Sequence, residues 1–238
     1  MRVAICLAGY FNSLTDPTSK GVDGFEHLYK HVISKVDKVD VYAHSWDIQN
    51  EQLIRSTYKD YLKELVVEPQ LDFNPQVIQN GLDTFNHGHY SHPRITFSQF
   101  YSVQRSFDLL VQSGEQYDVV IKARYDIGRI NRNTSYSYPV QCINFDPQRD
   151  MEQFYTANWP YLNTEGPADM WFYSSLDNMK SFAYIYDIML RDYKPGTAYA
   201  EFAGSNDGGL INAIKFYKWF LIQTGLWDKK QLLDTTWE

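Results

Sequence analysis

The sequence predicts an α/β domain, a mixed but mainly parallel sheet flanked by helices, in a single unit covering all 238 residues. Three observations point there. Continuous apolar runs rich in β-branched residues, beginning at Arg2, Val39 and Val119, suit strands buried on both faces. Between them lie segments with apolar residues at helical spacing, and alternating strands and helices imply parallel pairing through right-handed crossovers. The runs also turn polar at their far ends, where open α/β sheets place ligand sites.

Arg2 to Ala8 reads as a first buried strand, which Gly9 breaks into a loop reaching about Gly21. A strand that empties into a Gly-containing loop before a helix is a common cradle for nucleotide groups, although a lone Gly9 is far from a G-x-G-x-x-G signature. Val22, Phe25, Leu28, Val32, Ile33 and Val36 then form one helical stripe. Residues 39–47 are a second strand, 51–62 a second helix, and 64–68 a third strand stopped by Pro69. Residues 70–93 show no clear period and hold His87, His89 and His92, which read either as transition-metal ligands or as part of a solvated loop or lid. Thr96 and Gln99 stand as a capping box for a helix striped by Phe97, Phe100, Tyr101, Phe107, Leu110 and Val111 and ended by Gly114. That helix delivers the chain to 117–127. Side chains alternate across a strand, so Lys122, Arg124 and Asp126 share one face at its polar end, with Arg124 and Asp126 roughly 7 Å apart. The plain alternative is an ion pair closing a strand.

In the second half, 131–141 are loop-like, 142–146 another strand, and 146–166 irregular and aromatic. Residues 168–173 read as a strand entered by Asp169, leading through a box of Ser174 and Asp177 into a helix striped by Met179, Phe182, Tyr186, Met189 and Leu190. A flexible turn, 204–209, precedes a last helix carrying Leu210, Ile211, Ile214, Tyr217 and Leu221. Asp169 is either a turn residue or a group that acts on substrate, and Asp207 either a helix N-cap or a base.

A formal net charge of −7 with no Lys/Arg run argues against nucleic acid as partner, so any anionic ligand must be held by a few cations, backbone amides or a metal. Cys6 and Cys142 read as small core residues in a reducing compartment. No stretch has the length of a membrane span and residues 3–8 are too short for a signal core, so a soluble, cytoplasmic protein is expected and the Asn133-Thr134-Ser135 sequon is incidental. Aromatic residues make up 16%, 19 of them Tyr, more than a core needs; aromatic side chains with polar tips suit sugars.

The opening Arg2-Val3-Ala4-Ile5-Cys6-Leu7-Ala8-Gly9, then Val41-Tyr42-Ala43-His44-Ser45-Trp46, Gln99-Phe100-Tyr101-Ser102-Val103 and 117–126 resemble a family of GT-A-fold glycosyltransferases found in bacterial polysaccharide clusters and in large DNA viruses and phages. The resemblance covers roughly the first 127 residues, with an echo at 169–175. It implies a nucleotide-sugar donor bound by about 1–130 and a saccharide or glycan acceptor served by about 131–238. By it, Ala8, Gly9, Tyr10, His44, Arg105, Lys122, Arg124 and Asp126 bind the donor. Arg124-Tyr125-Asp126 stands where such enzymes carry an Asp-x-Asp that holds Mn²⁺ or Mg²⁺, so Asp126 is the metal ligand. Arg124 replaces the first Asp, which makes a guanidinium the alternative counter-charge for the diphosphate. Asn12 is a second departure, where the family tends to place an Arg. Displacement at an anomeric carbon needs charge stabilised on the leaving diphosphate and, with inversion, a base, for which Asp169 is first and Asp207 second. Two other readings stay open. One is a non-catalytic carbohydrate- or nucleotide-binding protein. The other is a Rossmann-type methyltransferase, which lacks here a Gly-rich first loop and an acidic end to strand two, unless Asp47 serves.

Overall fold

The computed structural model describes residues 1–12, 21–84, 92–128, 142–159, 163–204 and 207–234, the side chains of 207 and 208 excepted. In chain order the elements are β1 (Arg2–Gly9), α1 (Gly21–His31), β2 (Lys38–Ser45), α2 (Glu51–Thr57), β3 (Leu62–Val67), α3 (Asn74–Gln79), α4 (Pro93–Gln112) and β4 (Val119–Arg124). They continue with β5 (Phe154–Ala157), β6 (Trp171–Ser174), α5 (Leu176–Met179), α6 (Ile185–Asp192), α7 (Ala198–Ala203), α8 (Asp207–Leu210), α9 (Ala213–Gln223) and β7 (Lys230–Leu233).

The strands form one sheet in the order β3-β2-β1-β4-β6-β5-β7. β1 pairs in parallel with β2 and β4, and β2 with β3; β6 runs antiparallel to β4 and β5, and β7 is parallel to β5. The α/β class and mainly parallel sheet therefore stand. Alternation splits the core in two. Val3, Ile5, Leu7, Val41, Ile121 and Ala123 face α1 and α2, while Ala4, Cys6, Tyr42 and Val120 face α4, α6 and α9. Gly24 lets α1 sit directly on the turn after β4: a Cβ there would lie 1.9 Å from the Tyr125 carbonyl oxygen.

Several boundaries differ from the sequence reading. The predicted strand at 142–146 is absent; the Asn144 carbonyl instead accepts from the Arg149 guanidinium (2.7 Å) and the Tyr173 hydroxyl (2.9 Å). β5 arises inside the stretch expected to be irregular. α2 stops at Thr57, and α4 begins at Pro93 rather than Thr96, because His92 caps it through Nδ1, which accepts from the Arg94 amide at 3.2 Å. The Ser174/Asp177 box does not form: the Ser174 hydroxyl donates to Gln153 (2.7 Å), and Asp177 pairs with Lys180 (2.6 Å). The long helix expected beyond Ser174 is broken by a 3₁₀ turn at Lys180–Tyr184. α6 starts anew there because Gln104 Oε1 accepts from the amides of Tyr186 (2.8 Å) and Asp187 (3.2 Å). The aromatic surplus goes mainly into the core: Tyr42, Tyr58, Tyr125, Tyr173, Tyr193, Tyr199 and Tyr217 are each under 2% exposed. Cys6 is a buried thiol, Cys142 is partly exposed, and neither is in a disulfide. Among the described residues no helix is long and apolar enough to cross a membrane.

Candidate functional site

A cavity of about 620 Å³ opens at the carboxyl edge of the sheet, between the ends of β1, β2 and β4 and one face of α4. Each contributor follows from its local sequence. Gly9 ends β1 at φ +110°, a left-handed value natural to glycine, and turns Tyr10 into the lining. Trp46, just past β2, stacks on Tyr101 (ring centroids 5.3 Å, interplanar angle 25°) and meets Phe73 edge-on at 6.1 Å, forming an aromatic wall. Alternation along β4 and its exit turn presents Lys122, Arg124 and Asp126 to the same space. Ile95, Gln99 and Ser102 stand one helical turn apart on α4 and close the opposite side.

The charged end is a network. Arg124 grips Asp126 with two bonds, Nε to Oδ1 at 2.9 Å and a terminal nitrogen to Oδ2 at 2.8 Å, and its other nitrogen lies 3.6 Å from Asp169 Oδ2. Asp169 Oδ2 also accepts from Gln99 Nε2 at 2.6 Å. Burial favours the neutral form of Asp169, yet Arg124, Lys122 and the Gln99 bond outweigh it and hold the carboxyl below its ordinary range. Lys122 is fully buried, donates to the Asp169 carbonyl oxygen, and lies 4.9 Å from the Phe172 ring centroid and 5.7 Å from that of Tyr217. Burial lowers its pKa to about 8, with Asp169 opposing and Arg124 reinforcing the shift.

Behind Ser102 runs a second network. Ser102 Oγ accepts from the Gly9 amide at 2.8 Å and lies 2.7 Å from His44 Nδ1, while His44 Nε2 lies 3.0 Å from Glu68 Oε1. Burial lowers His44 to about 4 despite Glu68, so the ring is neutral: Nε2–H donates to Glu68 and Nδ1 accepts from Ser102. The network is complete and fixes Gly9 against α4.

Of the residues expected to bind the donor, Ala8, Gly9, Tyr10, Lys122, Arg124 and Asp126 line the cavity. His44 is fully buried behind Ser102, and Arg105 lies 3.9 Å from both Glu68 and Asp108, so neither is on the lining. Asp169 stands behind Arg124 and Gln99, also off the lining. Asp207 opens α8, and its side chain lies outside the described residues. So do His87, His89 and the sequon at Asn133. The sequence reading, which left 70–93 as a solvated loop or lid at the site's edge, did not single out Gln70, Leu71, Asp72 and Phe73 before α3, and it did not place Arg94, Ser98, Gln99 and Ser102 of α4 on the cavity. The available signal was the polar line Ser98, Gln99, Ser102 beside the apolar stripe of α4.

Among the described residues the side chains offer no ready-made divalent-cation site. Mg²⁺ and Mn²⁺ need free carboxylate oxygens in near-octahedral array, but Arg124 occupies both oxygens of Asp126, and among the described residues no three His, Cys, Asp or Glu come together. Compared with protein-family models, with the curated proteins and with solved structures, the chain matches none.

Proposed function

We propose that the protein is a glycosyltransferase with a GT-A-like α/β fold, which takes a nucleotide-sugar donor and passes the sugar to a saccharide or glycan acceptor. One observation carries this reading: a single cavity joins an aromatic wall, Trp46 and Phe73 with Tyr10, to a hydrogen-bonding set of Gln70, Ser98, Gln99 and the Arg124–Asp126 pair. Apolar rings suit a nucleobase or the C–H face of a sugar, and the polar set suits hydroxyls. Lining charges nearly cancel, with Arg94, Lys122 and Arg124 against Asp72 and Asp126, which favours a hydroxyl-rich ligand bearing limited negative charge over a polyanion. Among the described residues the lining lies within the first 126, in keeping with a donor half followed by an acceptor half.

Of the two carboxylates on the described lining, Asp72 and Asp126, Asp126 stands at the charged strand end, and in this reading it takes the acceptor hydroxyl's proton on a lone pair that the Arg124 bonds leave free. Asp169 acts through Arg124 and Gln99 as a positioning residue. No step runs through a metal. The methyltransferase alternative loses its ribose-binding carboxylate, because Asp47 is engaged by Asn50 Nδ2 (2.9 Å to each oxygen) and by the Asn12 amide (3.1 Å).

Calorimetry with UDP, GDP and dTDP, each with and without Mn²⁺ and with S-adenosylmethionine as a control, tests the reading. At least one nucleotide is expected to bind, and binding to none of them would sink it. Slow hydrolysis of the matching nucleotide-sugar by the purified protein would separate a transferase from a non-catalytic binder.

A further inference from the structure

Lys122 is the charge in the cavity that the protein leaves open. An ammonium has three N–H donors, and the described residues supply one acceptor, the Asp169 carbonyl oxygen; Phe172 and Tyr217 offer ring faces and no lone pair. Its side chain is fully buried, yet among the described residues no carboxylate lies within ion-pair distance. Arg124, next along the same face, is spent on Asp126 and Asp169. Among the described residues Arg94 also makes no ion pair, and it lies on an exposed position of α4, so the described lining has one open cation within and one towards its rim. Burial of an ammonium with a single acceptor is costly and is sustained where the charge is used.

We propose that Lys122 is the anion-binding group of this cavity, donating to the phosphate of an entering nucleotide in the place a divalent cation would otherwise take. The inference rests on the nucleotide-sugar reading and names the residue that replaces the metal. As the sugar leaves, charge accumulates on the departing diphosphate, and an ammonium already fixed in a low-dielectric pocket stabilises it without reorganising. Arg94 supplies a second contact from the rim.

Two measurements test this, both with EDTA present. In the first, UDP affinity is compared between the wild type and Lys122→Met, with loss of tenfold or more expected. In the second, which needs no variant, the wild type is treated with pyridoxal 5′-phosphate. The Lys122 amine condenses with the aldehyde, releasing water, and borohydride delivers hydride to the imine to give a stable secondary amine found by peptide mass spectrometry. Lys122 is expected to be tagged, and UDP to prevent it. If UDP binds Lys122→Met as tightly as wild type, binds only with Mn²⁺, or fails to shield Lys122, the inference falls while the nucleotide-sugar reading stands. If none of UDP, GDP and dTDP binds but pyrophosphate shields Lys122, the anion site stands and the nucleotide-sugar reading falls. Failure to tag Lys122, or shielding by neither compound, overturns the inference.

Discussion

The buried Glu68–His44–Ser102–Gly9 network makes a pH dependence that can be computed in advance. His44 has an ordinary pKa of 6.5, lowered to about 4 in the folded chain, so between these values the unfolded chain binds the additional proton. Stability then rises with pH through that window and is lost as pH falls from 6.5 towards 4. At pH 5 the unfolded imidazole is almost fully protonated and the folded one almost fully neutral, which costs about 2 kcal/mol relative to pH 7.5. His44→Asn places an amide oxygen near Nδ1, keeps an acceptor for Ser102 and removes the titration. The variant is less stable than wild type at pH 7.5, because Glu68 loses its donor. Its deficit shrinks by about 2 kcal/mol at pH 5, since only wild type carries the proton penalty there. Urea denaturation of both proteins at the two pH values measures this. His27, whose pKa burial and the neighbouring His31 lower to about 3, is present in both and cancels. A deficit that stays constant or grows at pH 5 would refute the neutral, buried assignment of His44.

Two further outcomes follow from the charged network and from α1. Asp126→Asn should cut transfer about a hundredfold or more with donor affinity near that of wild type, whereas Asp169→Asn should lower stability by about 1–2 kcal/mol and reduce turnover far less. Donor titrations, turnover and melting temperatures separate the two; the opposite ranking would make Asp169 the base. Gly24→Ala should cost about 1–3 kcal/mol, since the new methyl group meets the Tyr125 carbonyl at 1.9 Å and α1 must back away from the Tyr125–Asp126 turn. An unchanged melting temperature would show that this contact is looser than described.

What the sequence disclosed, and what it hid, divides by the range of the interactions involved. β1, β2 and β4 are buried on both faces, so their apolar runs mark them, and the end of β4 announced its charged trio. β5 is four residues, too short for any period to emerge, and its pairing is with strands that begin 17 and 76 residues later. The break before α6 depends on Gln104, 82 residues away, lending its carbonyl to the Tyr186 amide, and local spacing carries no trace of that. His44 was legible as a polar residue at a strand end, but which side of the cavity wall it occupies depends on Ser102 and Glu68. Gln99 and Ser102 were legible as part of a helix, while their service to the cavity appears only once α4 lies across the sheet.

The reversed direction of β6 also sets when Lys122 becomes buried. Because β6 runs against β4, the turn that enters it arrives at the edge where β4 exits, and Asp169 meets Lys122 across 47 residues of sequence. A growing chain that has just released residue 126 already possesses the described groups that line the cavity, but Lys122 then lacks the Asp169 carbonyl and the Phe172 and Tyr217 rings that enclose it. The first 126 residues by themselves therefore leave Lys122 without the groups that bury it. Its burial waits for the antiparallel strand and the last long helix to be made.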